Sequence, residues 1–207
     1  TLGWNDGTEQ EVFTIDELIK KFDIARIQKS PARFDEKRLL WLNGQHIRLL
    51  PLDELMNRVK NFWPQSATEA SEAHKREVLA LVQDRLKTLA DLPILTSYFF
   101  EEPDPNWNMV NDNKQLKKLT VEQRRTILTA ARDALYDTSV IYKPDALQDI
   151  LNTLLETTGE KPGVLLSLIR LSISWAPFSP ALPDTIAALG RDTTIARIDR
   201  ALDALAE

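Results

Sequence analysis

The sequence predicts an all-α fold, and three observations carry it. Apolar residues recur at three- and four-residue spacing rather than alternating, only 6 of 207 residues are glycine, and helix-start signatures recur along the chain. Thr14 and Glu17 form the first capping box, in which hydroxyl and carboxylate satisfy each other's exposed amides, with Leu18, Ile19 and Phe22 following on one face. Asp35 caps the next helix, with Leu39, Leu40 and Leu42 turned inward and Asn43-Gly44 as its stop. Pro51 suits the first turn of a helix carrying Leu52, Leu55, Val59 and Phe62. Residues 69–89 read as one long helix with Val78, Leu81, Val82, Leu86 and Leu89 on its stripe.

After Phe100 the period breaks, and the run from Glu101 to Trp107, with two prolines, reads as a linker. A second capping box, Thr120 with Gln123, starts a helix reaching about Asp137. Pro144 opens another that stops at Thr158-Gly159, and residues 162–175, 183–189 and 192–206 complete the set, with Gly190 as the stop before the last. The reading is about nine helices and no strand, with no repeat of fixed period. Boundaries are expected near residues 49–51 and in the 101–113 linker, giving parts at 1–50, 51–107 and 108–207.

Composition bounds the chemistry. At 43% hydrophobic and 28% charged residues the chain can build a core and is not a disordered tail. It has no cysteine, so disulfides, zinc fingers and thiol nucleophiles are excluded. Only His46 and His74 could add imidazole, no carboxylate is placed by sequence to orient either, and no ligand-like carboxylate cluster stands out. Both therefore read as helix-surface or helix-end residues. The weakly charged stretch 162–183 has Arg170 as its sole charge, but its apolar part is too short for a bilayer span of about 20 residues. The opening residues lack a signal-peptide layout. The chain starts at Thr1 without a methionine, which suggests a piece of something longer, and the expected setting is the cytoplasm.

Net charge is −5, but its distribution matters more. Residues 24–60 carry eight basic and four acidic side chains, and residues 113–132 carry six basic ones against Glu122 alone. Screening confines each patch to about 8 Å at physiological salt, so a polyanion would feel the local basic faces. Composition alone favours ordinary solvated helix surfaces.

The order of short strings in the first quarter changes that balance. Leu2-Gly3-Trp4-Asn5, Glu11-Val12-Phe13-Thr14, Phe22-Asp23, Lys29-Ser30-Pro31, Phe34-Asp35 and the run from Trp41 to Arg48 stand in register. Together they resemble the segment just downstream of the catalytic domain in bacterial-type glutamyl-tRNA synthetases. Asp84 to Leu89 followed by Ser97 to Phe100 is similar to the first anticodon-binding subdomain of that family. Leu168-Ile169-Arg170, Leu189-Gly190 and residues 197–202 are similar to the second. Between 106 and 139 the likeness is one of layout only. The resemblance implies a small helical stem-contact unit followed by a two-part helical anticodon-binding domain, an α-helix cage.

It also implies what this chain lacks. The family is class I, and its ATP site uses a His-Ile-Gly-His-like element and a Lys-Met-Ser-Lys-Ser-like loop. Gln45-His46-Ile47-Arg48 lacks the glycine and the second imidazole, and Gln28-Lys29-Ser30 has one lysine and no second. The chain is expected to be catalytically silent, with no cofactor of its own. The parent protein would attach glutamate to tRNA using ATP and magnesium. The expected partners are tRNA(Glu), and tRNA(Gln) if Arg85 points away from the anticodon. No membrane partner is expected, and the state is a monomer.

The resemblance also implies site residues. Arg170 aligns with an anticodon-reading arginine. From the residues alone it either pairs internally or reaches a ligand, because an unpartnered buried guanidinium costs several kcal/mol. Arg85 aligns with an arginine near the third anticodon base, against the alternative of a snorkelling surface side chain. Ser179, Pro180 and Leu182 align with residues lining the first anticodon base, although the turn that holds them departs from the family's threonine–glycine pattern. Lys29, Arg33, Lys37, Arg38 and Arg48 would hold tRNA backbone, which positions without reading sequence. Trp175 and Phe178 either stack on bases or plug the helical core, and Trp4 and Trp41 read as core. The rival reading is a helical protein-interaction module without RNA binding.

Overall fold

The computed structural model describes residues 3–29 and 33–205. Leu2, Ser30, Pro31 and Ala206, named above, lie outside them. Among the described residues the chain is all-helical, with eleven α-helices, several 3-10 turns and no strand. It divides into two compact units, one of Thr1–Phe62 with Gln83–Leu92, the other of Trp63–Val82 with Pro93–Glu207.

In the first unit, α1 (Ile15–Lys21) starts at the Thr14–Glu17 capping box, with both reciprocal bonds present. It buries no residue, and Ile15, Ile19 and Phe22 are exposed, so its apolar face is not a core face. Trp4 and Phe13 are buried as edge-on neighbours, ring centres 6.3 Å apart. Beside them the Asp6 carboxylate accepts from Lys21 Nζ at 2.7 Å, and Arg26 donates to the Asp6 carbonyl.

Helix α2 (Glu36–Leu49) begins at Asp35 as expected but runs through Asn43-Gly44 instead of stopping there. Gly44 is a point of close approach: a Cβ there would stand 3.1 Å from the Leu86 carbonyl oxygen. Leu39, Leu40 and Trp41 are exposed, and the buried positions are Gly44 and Ile47, so the inward face is turned from the expected one. Pro51 caps α3 (Leu52–Arg58), where Leu55 and then Val59 are fully buried.

The expected long helix at 69–89 ends early. Helix α4 (Glu72–Val82) gives way to a 3-10 turn at Gln83–Arg85. The end of α2 accounts for this. The Gln83 side-chain amide donates to the Ile47 and Leu50 carbonyls at 3.0 and 2.9 Å, and Arg48 Nε donates to the Asp84 carbonyl at 2.9 Å. The Leu50 carbonyl just past the helix end thereby gains a donor, the Ile47 carbonyl gains a second beside the Leu50 amide, and the chain turns to supply them.

In the second unit, α5 (Leu92–Thr96) leads to a coil and then α6 (Trp107–Asn111). Helix α7 (Val121–Tyr136) starts at the Thr120–Gln123 capping box. Helix α8 (Pro144–Thr158) opens on proline and closes on Gly159, whose φ of 66° is the left-handed stop that glycine tolerates. Helices α9 (Pro162–Ser174), α10 (Leu182–Leu189) and α11 (Arg191–Asp203) follow, with Gly190 ending one and starting the next. The core includes Leu128 and Leu135 of α7, Leu147 and Leu151 of α8, and Leu165, Leu168 and Ile169 of α9.

Candidate nucleic-acid interface

Arg170 lies on α9, whose Leu165, Leu168, Ile169, Leu171 and Ile173 are buried. The side chain is half-buried, and its Nε has neither solvent nor a hydrogen-bond partner. No ion pair holds it among the described residues. Two other arginines of the same unit differ. Arg197, 3% exposed, donates to the Ile173 carbonyl at 2.7 Å, the Glu101 carbonyl at 2.8 Å and the Glu102 carboxylate at 3.1 Å. Burial pushes its pKa down, and Glu102 opposes that. Arg197 therefore ties a carbonyl at the end of α9 to the 101–102 strap. Arg124, 7% exposed, has only Asn111 Oδ1 at 2.9 Å and the Trp107 ring at 5.6 Å, and burial pushes its pKa down as well.

One turn past Arg170 the helix ends on Trp175, whose φ of 41° makes it the single left-handed residue other than glycine among the described residues. Its ring is buried edge-on against Trp107 at 5.3 Å. Trp175 therefore fills the core, whereas Phe178 is 57% exposed. Ser179, Pro180 and Leu182 are buried, and the Ser179 hydroxyl donates to the Pro180 carbonyl at 3.2 Å. The loop presents Pro177, Phe178 and Ala181 outward.

In the first unit Arg85 is exposed at the end of the Gln83–Arg85 turn and has no partner among the described residues. Its backbone is held through Gln83 and Asp84, as above. Lys29, Arg33 and Lys37 are exposed and likewise unpaired. Arg38 pairs with Glu11, and Arg48 is engaged with the Asp84 carbonyl. Arg33 and Arg38 line a shallow cavity of about 200 Å³ together with Phe34, Trp41 and Leu42. Trp41 is exposed there, contrary to its expected place in the core, because the buried side of α2 runs through Gly44 and Ile47. The structure thus brings Arg85 together with Arg48 in one unit, and Arg170 with the 175–182 loop in the other.

His46 is exposed, and His74 lies edge-on to Phe100 with Nδ1 3.5 Å from Glu77. Among the described residues no three His, Asp or Glu side chains are grouped to hold a metal ion. None of their helices is long and apolar enough to cross a membrane. The sequence reading missed the burial of Arg124 and Arg197. For Arg197 a signal existed: Thr194, Arg197, Ile198 and Ala201 follow helical spacing, and all four are buried.

Residues 54–202 match a family model described as an anticodon binding domain. The chain is 33% identical to a glutamate–tRNA ligase of Chloroflexus aurantiacus over 98% of its own length and 41% of the relative's. It is 34% identical to one of Corynebacterium efficiens over 95% and 40%. It therefore spans about two-fifths of the length of the curated relatives it matches. Among solved structures, a glutamate tRNA ligase from Elizabethkingia meningosepticum, crystallised with its amino acid, aligns with a TM-score of 0.78 at 24% identity, covering 99% of this chain and 39% of that one. That likeness carries the fold alone, while the matched span and the curated relatives carry the family. The chain belongs to the anticodon-binding domain family, in the form found in the C-terminal part of glutamate–tRNA ligases.

Proposed function

We propose that this chain recognises tRNA(Glu) on behalf of a longer glutamate–tRNA ligase. Residues 1–50 hold the inner corner of the tRNA, and residues 51–107 and 108–207 hold the anticodon arm. The observation that carries the reading is Arg170, a half-buried guanidinium with no carboxylate partner among the described residues, on the helix that leads into the loop of the exposed Phe178, in a chain of the anticodon-binding family. An arginine can take a base edge or a phosphate through two parallel hydrogen bonds, and an exposed aromatic ring can stack on a base. Arg85 offers another unpaired guanidinium, in the other unit. Lys29, Arg33 and Lys37 are free to meet backbone phosphates, whereas Arg38 and Arg48 would have to exchange their present partners. Ser179, Pro180 and Leu182 would act mainly by shaping the loop.

In the longer protein, a cognate tRNA held here presents its acceptor end to the catalytic portion, where ATP and magnesium serve the joining of glutamate. The setting is the cytoplasm, and the working form is a monomer.

The test is titration of this chain with tRNA(Glu) and tRNA(Gln) transcripts at two salt concentrations. Arg170→Ala weakens tRNA(Glu) binding by about 1–3 kcal/mol. Unchanged affinity with intact helicity removes Arg170 from the site. Arg85→Gln narrows the affinity ratio between the two transcripts, and a preserved ratio removes Arg85. Binding that ignores salt would favour the protein-interaction module instead.

A further inference from the structure

The basic stretch that opens the second unit's longest helix has no place in the site described so far. Between α6 and α7 the chain makes a tight turn at residues 113–119. Asn113 builds it: its side-chain oxygen accepts from the Gln115 amide at 2.9 Å, and its carbonyl accepts from the Lys117 amide at 2.9 Å. Leu116, fully buried, pins the turn to the core. With Leu116 inward, Lys114, Lys117 and Lys118 are exposed, and Arg125 is exposed on α7 just beyond. None of the four has an ion pair among the described residues, although the acidic Asp112 and Glu122 flank the turn in sequence. By contrast, Arg132 further along α7 is held by Asp199 and Asp133.

The turn is docked on the helix that carries Arg170. Ser167 of α9 donates to Gln115 Oε1 at 3.2 Å, and the Gln115 amide lies so close to Gly163 that a Cβ there would meet it at 2.8 Å. Gly163, Ser167 and Arg170 are separated by four and three residues, which places them on one face of α9. Arg170 is thus about 4.5 Å along the axis from the residue that receives the turn. A rigid loop with three unpaired lysines therefore borders the face on which the candidate anticodon reader stands.

We infer that Lys114, Lys117 and Lys118 form a phosphate-binding edge that holds the RNA backbone next to the bases offered to Arg170. The inference rests on the tRNA reading above and adds to it a contact surface. Lysines act as compact point charges with freely rotating donors, so they suit phosphates rather than base edges. Their contribution is independent of sequence and sensitive to salt.

The experiment compares the chain with its Lys114→Gln/Lys117→Gln/Lys118→Gln variant. The probes are two transcripts, one with a glutamate anticodon and one with a scrambled anticodon loop, each titrated from 50 to 200 mM salt. Because the three side chains are exposed, circular dichroism should show an unchanged helical signal. The expected result is a salt slope of log K shallower by about 2–3, at roughly 0.7–0.9 per phosphate contact, with an equal loss for both transcripts. An unchanged slope in the variant, beside a steep slope in the parent chain, overturns the phosphate edge and leaves the tRNA reading standing. A loss confined to the glutamate anticodon also overturns it, since the lysines would then be reading bases. A parent chain with no salt-dependent binding overturns both.

Discussion

Trp175 and Arg197 both act at the end of α9, one by occupying a backbone conformation that side chains avoid and the other by donating to a helix-end carbonyl. For Trp175 two effects compete. Left-handed backbone costs a side-chain-bearing residue about 1 kcal/mol or more, whereas removing a buried tryptophan ring costs about 3–5 kcal/mol. Packing on Trp107 is the larger, so Trp175→Gly is expected to lower stability in urea unfolding by about 2–3 kcal/mol. A stabilised variant would show that the backbone strain dominates. For Arg197, truncation strands the buried Ile173 carbonyl and frees the half-buried contacts to the Glu101 carbonyl and the Glu102 carboxylate, so Arg197→Ala is expected to lose about 1–3 kcal/mol. Neither residue was legible in this role from the sequence. A left-handed helix end is ordinarily marked by glycine, and here the ring's burial is decided by Trp107, 68 positions away. Arg170 was legible as the lone charge on a helix apolar nearly all round, but the sequence left open whether it pairs internally, and the structure gives its buried Nε no partner among the described residues.

Helix starts were legible because they are local: Thr14, Asp35 and Thr120 each sit within three residues of the amides they accept from. Helix ends and faces depended on distant chain. Asn43-Gly44 has the form of a stop, yet α2 runs through it because Gly44 meets the backbone at Leu86. In the same way the stripe at 69–89 continues in sequence while the chain is turned at Gln83 by carbonyls some 35 residues earlier. Alanine at Gly44 would gain about 1 kcal/mol of helix propensity, so the bulkier Gly44→Val separates the two effects. It is expected to destabilise the first unit, read as lower protection of α2 amides, and a neutral result would mean that the Leu86 backbone yields easily. Gln83→Leu, which leaves the Leu50 carbonyl without its side-chain donor and the Ile47 carbonyl with the Leu50 amide alone, is expected to cost about 1–3 kcal/mol.

At the scale of the molecule, the two units differ in what holds them. Helix α1 buries nothing, so its amides are expected to exchange fastest among the helices, while those of α7, α8 and α9 exchange slowest. Acid should loosen the first unit around Asp6. The hydrogen bonds from Lys21 and then Thr8 hold the Asp6 pKa at about 2, below its ordinary 3.8. A carboxyl whose folded pKa is depressed contributes stability above its unfolded value and loses it as pH falls through the folded one. Trp4 fluorescence is therefore expected to report loosening between about pH 4 and pH 2, and Asp6→Asn should flatten that dependence. An Asp6→Asn variant with the parent's acid profile would refute the assignment.

The chain passes from the first unit to the second at Phe62, returns at Gln83, and leaves again at Leu92. No single cut in the backbone can therefore free either unit whole. On the ribosome, the carbonyls closing α2 wait for Gln83, and the notch at Gly44 waits for Leu86, so the amino-terminal part finishes folding only after α4 of the other unit has emerged. The two parts are braided in sequence, and a recombination event that exchanged one contiguous block would leave both incomplete.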